Sequence, residues 1–312
     1  MSVSVSFKPR DYKTDVHNNW CPGCGDFGIL AGLQMALAEL QIPPHKVAVF
    51  SGIGCSGKTP HYVNTYGFHT LHGRSVPSAT GAALANRDLT VIALGGDGDG
   101  YGIGAGYFVN AARRNVNMTY MVHDNHVYGL TKGQASPTLQ KGLRTKAMPQ
   151  SAIQEGLNPL ALAVAAGYTF VARGFALDPR ALGGLIAQAV RHRGTSFIDV
   201  LQTCPTYNDL YTADWYGKNA AGGARLYALA EAGYEGRVAD PTDTAEIESK
   251  KLQAIGRSFE WGERIPIGVF YQVESPTYED ALTERIPEYG EENLVDMDLF
   301  HRDLAPLLAD MR

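Results

Sequence analysis

Short apolar runs alternate along the chain with longer stretches in which apolar residues recur every three or four positions. The runs are rich in β-branched and aromatic residues, which is typical of buried parallel strands. They cover residues 46–50, 89–96, 118–124, 195–202 and 265–271. The periodic stretches predict amphipathic helices over residues 27–40, 105–115, 158–167 and 179–192. This order predicts an α/β fold with a doubly wound, mostly parallel sheet, helices on both faces, and ligands bound at the carboxyl ends of the strands.

The alternation weakens beyond about residue 205. Residues 208–264 are mostly polar and rich in tyrosine and glycine, and they lead into the last predicted strand. We therefore expect one α/β domain over residues 1–207. We expect residues 208–312 to form a C-terminal extension packed on the same domain or on a partner subunit.

The composition and net charge of the chain argue against two classes of binding partner, nucleic acids and membranes. The 312 residues are 45% hydrophobic and 19% charged, and the formal net charge is −5 at pH 7, which gives no general attraction for nucleic acid or anionic lipid. The amino-terminal MSVSVSFKPRDYKTD lacks the apolar segment of a secretory signal, and no stretch reaches 18 consecutive apolar residues. We expect a cytoplasmic protein that binds neither nucleic acid nor membranes.

One glycine-rich segment, VAVFSGIGCSGKT at residues 47–59, matches the phosphate-binding loop of nucleotide hydrolases. Such a loop runs directly into a helix, whereas the residues that follow include Pro60, Gly67 and several aromatics without helical period. Glycine permits positive φ angles and close approach of the backbone to a ligand. We therefore interpret Gly52 and Gly54 as residues that let the chain close around a bound group.

A carboxylate and an amide follow two consecutive predicted strands. Asp97, in GGDGDG, follows the strand at 89–96, and Asn125 follows the strand at 118–124, with 26 residues (99–124) between Gly98 and Asn125. That interval accommodates one helix and one strand, so both side chains would converge on a hard divalent cation that also binds diphosphate oxygens. The alternative is a pair of ordinary turns, marked by Asp-Gly and Asp-Asn.

The four cysteines occur in CPGCG, GIGCSGK and CPTYN. A disulfide framework is not expected from so few cysteines with two of them in a CxxC. A zinc ribbon usually pairs two CxxC units, and here the third and fourth cysteines are isolated. A 4Fe-4S cluster accepts thiolates from distant loops, so the spacing favours a cluster but leaves zinc and unligated thiols open. These residues are Cys21, Cys24, Cys55 and Cys204.

Six motifs occur together in one order: CPGCG, GIGCSGK, LHGRSVPSATGAALAN, GGDGDGYGIG, DNHVYGLTKGQ and CPTYN. In this order they resemble the β subunit of two-subunit 2-oxoacid:ferredoxin oxidoreductases, over residues 17 to about 210. The resemblance implies a sheet of the thiamine-diphosphate-binding type, with Mg²⁺ ligated by Asp97, Asn125 and the carbonyl of Val127. It also implies one 4Fe-4S cluster on the four cysteines. The implied cofactor contacts are Gly54, Ser56, His72, Gly96, Asp97, Gly98, Asp99, Asn125, Val127, Tyr128, Gly129 and Leu130.

The resemblance also implies an activity. Thiamine-dependent oxidative decarboxylation would convert 2-oxoacids to acyl-CoA and CO₂, with electrons passing through the cluster to ferredoxin. A larger α subunit would supply the pyrimidine-binding domain and contacts to coenzyme A and substrate, so this chain should be inactive alone. The alternatives are a zinc-stapled, non-catalytic subunit with a thiamine-type fold and a non-redox thiamine decarboxylase, which the cysteines disfavour.

Four residues are candidates for direct roles in catalysis: Lys58, His72, Leu130 and Lys132. Lys58 would stabilise a reduced cluster and attract a substrate carboxylate, and His72 would contact the cofactor or handle a proton. Leu130 and Lys132 follow the metal-binding turn, and pyruvate-specific relatives commonly have glycine at the Lys132 position. Lys132 could therefore pair with the distal carboxylate of 2-oxoglutarate, so we expect 2-oxoglutarate and smaller 2-oxoacids such as pyruvate to be accepted. The alternative is that Lys132 is a solvated turn residue.

Overall fold

A mostly parallel sheet forms the centre of the computed structural model, which describes residues 6–298, 305 and 309. Its strands are β1 (Val47–Ser51), β2 (Tyr66–His69), β3 (Thr90–Gly96), β4 (Met118–Asp124), β7 (Phe170–Phe175), β8 (Thr195–Leu201), β9 (Leu226–Ala228) and β10 (Ile265–Gln272). Their order across the sheet is β2-β1-β3-β4-β8-β7-β10-β9. A separate antiparallel pair, β5 (Val127–Tyr128) and β6 (Gln134–Ala135), lies in the loop after β4.

Helices cover both faces of the sheet. The helices are α1 (Asp26–Leu40), α2 (Ser75–Ala85), α3 (Ala105–Arg114), α4 (Pro159–Ala166), α5 (Pro179–Arg191), α6 (Ala213–Gly217), α7 (Thr244–Ser258), α8 (Tyr278–Arg285) and α9 (Pro287–Glu291). Helices α1 and α5 pack against each other on one face, whereas α2, α3, α4 and α7 contribute to the core on the opposite face. In the part of the chain that the structure describes, no helix is both long and apolar enough to cross a membrane.

Strand β1 shows why the apolar runs are continuous rather than alternating. Val47 and Val49 join the core beneath α1 and α5, whereas Ala48 and Phe50 join the core on the other face. Successive side chains of a strand point to opposite faces, and here each face is covered by helices. A strand that is buried on both faces therefore shows no alternation of apolar and polar residues in its sequence.

The predicted strands and helices are confirmed to within one or two residues at their ends. One prediction was wrong: the strand at 265–271 was expected to be parallel, but β10 runs antiparallel to β7 and parallel to β9. The segment around Lys58 forms a short 3-10 helix, Ser56–His61, with Pro60 inside it, and strand β2 follows. A phosphate-binding loop would need an α-helix there, so the nucleotide hydrolase hypothesis is wrong.

Several elements were not anticipated, because their sequences carry weak signals. Strand β7 contains Arg173 and Gly174, and helix α2 contains Pro77 and Gly81, residues that are uncommon inside such elements. Helix α7 lies in the polar segment 208–264, and few of its residues are buried. It packs against α4, while β10 from the same C-terminal region adds to the central sheet through β7.

Four neighbouring strands place the chemically interesting loops at one edge. Strands β1, β3, β4 and β8 are consecutive and parallel in the sheet, so their carboxyl ends lie side by side. Cys55, Asp97, Asn125 and Cys204 each follow one of these strands within four residues. Helix α1 reaches the same edge, because the amide of Gly25 at its amino end donates to the carbonyl of Thr203 at 3.1 Å. This arrangement matches the rule that doubly wound sheets bind ligands at the carboxyl ends of their strands.

Gly28 allows helix α1 to approach the loop after β7, and its replacement by alanine should destabilise the fold. A Cβ at this position would lie 1.9 Å from the carbonyl oxygen of Ala176, so the helix must shift, at a cost of about 1–3 kcal/mol. Gly184 of α5 is the matched control, because a Cβ there meets no atom within 4 Å. Gly184→Ala should stabilise the protein by about 0.5–1 kcal/mol through helix propensity. Chemical denaturation followed by circular dichroism measures both changes, and a Gly28→Ala protein as stable as wild type would contradict the proposed packing.

Candidate functional site

A cavity of about 210 Å³ opens at the carboxyl edge of the four central strands. It is lined by residues of the loops after β1, β3 and β4, by His72, and by His123 and Gln202 from the ends of β4 and β8. The structure brings to this cavity every residue expected to contact the cofactor: Gly54, Ser56, His72, Gly96, Asp97, Gly98, Asp99, Asn125, Val127, Tyr128, Gly129 and Leu130.

Asp97 is a buried carboxylate held by hydroxyl and amide donors. Its Oδ1 accepts from the amide of Gly98 at 2.9 Å, and its Oδ2 accepts from Ser136 Oγ at 2.5 Å and Thr138 Oγ1 at 3.0 Å. Burial raises the pKa of Asp97 well above its ordinary value, and the charge of Asp124 raises it further. Burial, followed by the charge of Asp199, likewise raises the pKa of Asp124 to about 7. A cation at this position would favour the ionised form of Asp97.

Asn125 is fixed at both ends of its amide. Its Oδ1 accepts from the amide of Val127 at 3.1 Å, and its Nδ2 donates to Gln202 Oε1 at 3.0 Å. The backbone carbonyl of Asn125 accepts from Asn208 Nδ2 at 2.9 Å, and the next residue, His126, has a φ of 63°. An amide oxygen has two lone pairs, so Oδ1 retains the capacity to bind a metal ion.

Three lining residues carry a buried polar atom without a hydrogen-bond partner in the described part of the chain: Ser56 Oγ, Asp99 Oδ2 and His123 Nε2. Buried polar atoms normally have partners, so unpaired atoms around one cavity fit a site that receives a polar ligand. Position 98 has room only for glycine, because a Cβ there would lie 2.0 Å from Tyr128 Cε1. The cavity therefore suits a ligand that brings its own acceptors and donors.

His72 lies at the rim of the cavity and is oriented by Asp99. Its Nδ1 is 2.8 Å from Asp99 Oδ1, and the same oxygen accepts from the amides of Ile53 at 2.9 Å and Gly73 at 2.8 Å. The imidazole is 37% exposed, whereas the carboxylate is buried. Asp99 thus joins the loop after β1 to the loop before α2 and holds the histidine ring at the cavity.

Cysteine sulfurs gather beside this cavity. A Cβ built on Gly129 would lie 3.7 Å from both Cys55 Sγ and Cys204 Sγ, so these two sulfurs are no further apart than twice that distance. Burial, followed by the charge of Asp26, raises the pKa of Cys55 to about 11, and the thiols of Cys204 and Cys21 are close enough to raise it further. Burial and Asp26 also raise the pKa of Cys24. Cys21, Cys24 and Cys204 thus lie close enough to Cys55 to interact with it electrostatically.

No group of three or more His, Cys, Asp or Glu side chains among the described residues is arranged to hold a single metal ion. Neither sequence-based hypothesis requires an arrangement of that kind. The magnesium hypothesis uses one carboxylate, one amide oxygen and one carbonyl, and in a 4Fe-4S cluster each iron binds one cysteine.

The two candidate lysines lie outside the lining of the cavity. Lys58 Nζ donates to Asn19 Oδ1 at 2.9 Å, and its charge lowers the pKa of Cys55. Lys132 is exposed, with a φ of 81°, and its amide donates to the carbonyl of Gly129 at 3.1 Å. It directly follows Leu130 and Thr131, which do line the cavity. Lys132 therefore lies in the turn at the cavity mouth, whereas Lys58 faces the amino-terminal segment.

Three residues of the site were not predicted from the sequence: Asp26, His123 and Gln202. Asp26 is fully buried, and its Oδ1 is 2.6 Å from His123 Nδ1. His123 ends the apolar strand β4 with Asp124, and Gln202 directly follows β8. A polar residue at the carboxyl end of a buried strand is the signal that could have identified the latter two.

Two protein families match the chain. The family described as "Thiamine pyrophosphate enzyme, C-terminal TPP binding domain" matches residues 24–200, and the family of the C-terminal part of the pyruvate ferredoxin oxidoreductase beta subunit matches residues 204–285. The β subunit of 2-oxoacid:ferredoxin oxidoreductase 1 from Aeropyrum pernix is 51% identical over 284 residues, which are 90% of this chain and 86% of that protein. The 2-oxoglutarate oxidoreductase subunit KorB from Mycobacterium tuberculosis is 35% identical, covering 89% of this chain and 82% of that protein.

A solved structure shows the same similarity. The 2-oxoglutarate:ferredoxin oxidoreductase from Magnetococcus marinus, solved with 2-oxoglutarate, coenzyme A and succinyl-CoA bound, has a TM-score of 0.83 and 37% sequence identity. The match covers 98% of this chain and 96% of that one. The expected fold and the resemblance drawn from the six motifs are therefore confirmed. Residues 24–200 belong to a family of thiamine-diphosphate-binding domains. The chain is a member of the β subunits of the 2-oxoacid:ferredoxin oxidoreductases and is therefore part of a catalytic complex.

Proposed function

We propose that this β subunit, with a larger α subunit, catalyses the oxidative decarboxylation of 2-oxoacids to acyl-CoA and CO₂ and passes the electrons through a 4Fe-4S cluster to ferredoxin. The observation that carries the proposal is that one cavity is lined both by Asp97 and Asn125 and by Cys55. Thiamine diphosphate bound there supplies the electron sink for decarboxylation. A cluster on Cys21, Cys24, Cys55 and Cys204 would lie next to it.

The chain's own residues would anchor and orient the cofactor. Asp97, Asn125 and the carbonyl of Val127 would hold Mg²⁺ against the diphosphate, as oxygen ligands suited to a hard cation. Asp99 holds Nδ1 of His72, which leaves Nε2 free to contact the cofactor or to move a proton at the rim. Leu130, half exposed at the mouth, would exclude water once a partner covers it.

The substrate range follows from the mouth of the cavity. Lys132 lies in the exposed turn two residues after Leu130, where its ammonium could meet the distal carboxylate of 2-oxoglutarate. Two relatives carry 2-oxoglutarate in their names, which supports this substrate. We propose that 2-oxoglutarate, pyruvate and similar 2-oxoacids are accepted as substrates. The charge of Lys58, which acts on Cys55, would stabilise the reduced cluster.

Exposed apolar side chains around the mouth support an α subunit as the partner that completes the site. Ile53, Leu71, Ile103 and Leu130 are each more than a third exposed. Ile53 and Leu130 line the cavity, Leu71 precedes the lining residue His72, and a Cβ built on Gly73 would lie 2.7 Å from Ile103 Cγ2. Neighbouring exposed apolar side chains mark interaction sites. The net charge of −5 gives no general attraction for nucleic acid or anionic lipid, and we propose a cytoplasmic complex without such partners.

The cluster is tested by purifying the chain anaerobically with its co-expressed α subunit. We expect about four iron atoms and four acid-labile sulfides per β subunit, a broad brown absorption, bound thiamine diphosphate, and 2-oxoacid- and coenzyme A-dependent reduction of ferredoxin. Cys204→Ala should lose iron while retaining the complex. Colourless, iron-free wild-type protein that contains zinc would instead establish the non-catalytic, zinc-stapled alternative.

Replacement of Lys132 should change substrate choice. Loss of an ammonium that contacts a carboxylate costs about 1.5–3 kcal/mol, so Lys132→Ala should lower the ratio of kcat/KM for 2-oxoglutarate over pyruvate by roughly 10-fold or more. Lys141→Ala is the matched control, because Lys141 is an exposed lysine that pairs with Glu155 at 2.8 Å. An unchanged ratio of kcat/KM in Lys132→Ala would show that Lys132 does not determine substrate choice.

The partner surface is tested with two equally exposed leucines. Leu71 is 75% exposed beside the cavity, and Leu252 on α7 is 71% exposed. Leu71→Asp should weaken binding of the α subunit by roughly 10-fold or more, because a charge in the core of an interface must be desolvated, whereas Leu252→Asp should not. Size-exclusion chromatography and calorimetric titration with purified α subunit measure this. Equal binding by both variants, or full activity of the β subunit alone, would contradict the proposal.

A further inference from the structure

We infer that Gln202 is a positioning residue that connects the cofactor half of the site to the cluster half. Its Oε1 accepts from Asn125 Nδ2 at 3.0 Å, and its Nε2 donates to Cys24 Sγ at 3.4 Å. One side chain therefore contacts both a proposed magnesium ligand and a proposed cluster ligand. The inference rests on the proposed function, which assigns those two ligands.

The direction of this hydrogen-bond chain is fixed by the backbone. The amide of Val127 can only donate, and it donates to Asn125 Oδ1. The Nδ2 of Asn125 must then face Gln202, so the atom of Gln202 that meets it is the oxygen. The remaining Nε2 of Gln202 is consequently turned toward Cys24, with an N–H available for the sulfur.

Packing holds Gln202 in this orientation. The side chain is 1% exposed, and its backbone amide donates to the carbonyl of Asp124 at 2.9 Å. A Cβ on Gly25 would lie 2.6 Å from Gln202 Cγ, so the last glycine of CPGCG leaves the space that the glutamine stem fills. Because this stem is enclosed, the amide has little freedom to turn away from either partner.

An N–H donor to a cysteine sulfur favours the reduced cluster, because reduction adds negative charge to the sulfur ligands. The opposite influence is also present: Asp26 Oδ2 lies 3.4 Å from Cys24 Sγ, and His123 Nδ1 lies 2.6 Å from the other oxygen of that carboxylate. Gln202 thus supplies the neutral donor on one side of Cys24 while Asp26 places a carboxylate on the other. Loss of the Gln202 donor should make the cluster harder to reduce.

The second consequence concerns the cofactor. Without Gln202 Oε1, Asn125 Nδ2 would be left unpaired inside the protein, and only the amide of Val127 would still orient the Asn125 side chain at the metal position. Partners that orient metal ligands typically change metal affinity by about 10–100-fold when removed. Gln202 should therefore affect both the cluster potential and the affinity for thiamine diphosphate with Mg²⁺.

The test uses the αβ complex carrying Gln202→Met, which keeps the length of the side chain but has neither donor nor acceptor. We expect a more negative midpoint potential of the cluster in an EPR-monitored redox titration. We also expect about 10-fold weaker binding of thiamine diphosphate. Quenching of the protein fluorescence in a buffer that contains Mg²⁺ measures this affinity. Thr203→Val is the matched control: Thr203 is the next residue, is buried, and its Oγ1 has no partner among the described residues. It should change neither quantity.

Gln202→Glu provides an independent variant if the methionine protein fails to fold. Glutamate keeps the acceptor for Asn125 and loses the amide donor to Cys24, so the potential should fall while thiamine diphosphate affinity stays closer to wild type. A potential unchanged in whichever Gln202 variant folds, or shifted equally by Thr203→Val, would overturn the inference. The wild-type EPR signal and iron content separate this outcome from failure of the proposed function, since a wild-type complex without a cluster would refute the function itself.

Discussion

Four neighbouring parallel strands, β1, β3, β4 and β8, end at one edge of the sheet, and the whole site depends on this shared edge. Parallel strands point their carboxyl ends the same way, so loops far apart in sequence become spatial neighbours there. Cys55 and Cys204 are separated by most of the domain in sequence, yet both sulfurs approach Gly129. The sheet thus provides the convergence, and each loop has only to place its own side chain.

The glycine pattern that resembles a phosphate-binding loop has a different physical cause. A Cβ on Gly52 would lie 2.1 Å from Asp99 Oδ2, and one on Gly57 would lie 2.3 Å from the carbonyl oxygen of Gly52. The loop after β1 therefore folds tightly on itself and against a carboxylate from the loop after β3. These glycines allow close packing between protein loops, and the lysine that follows them bonds to Asn19.

Residues with strong local signals could be predicted from the sequence, whereas residues whose role depends on distant partners could not. Asp97 and Asn125 were found because each follows an apolar strand in a glycine-rich or turn-forming segment, and the structure places both in one cavity. Strand β7 was hidden by Arg173, whose charge is tolerated inside the sheet because Asp199 Oδ2 lies 3.2 Å from its Nε. The direction of β10 also had no local signal, since its apolar run is the same in either orientation.

The charges around the site explain how it can form before it is filled. Burial raises the pKa of Cys24 and brings that of Cys55 to about 11, so both thiols are protonated at neutral pH and do not repel each other. Asp97 is likewise shifted toward its neutral form by burial and by Asp124. Folding therefore need not bury a cluster of unpaired negative charges, a cost that would otherwise be several kcal/mol per ion. If the proposed Mg²⁺ and cluster bind, they would displace these protons and leave an interior in which the charges are balanced.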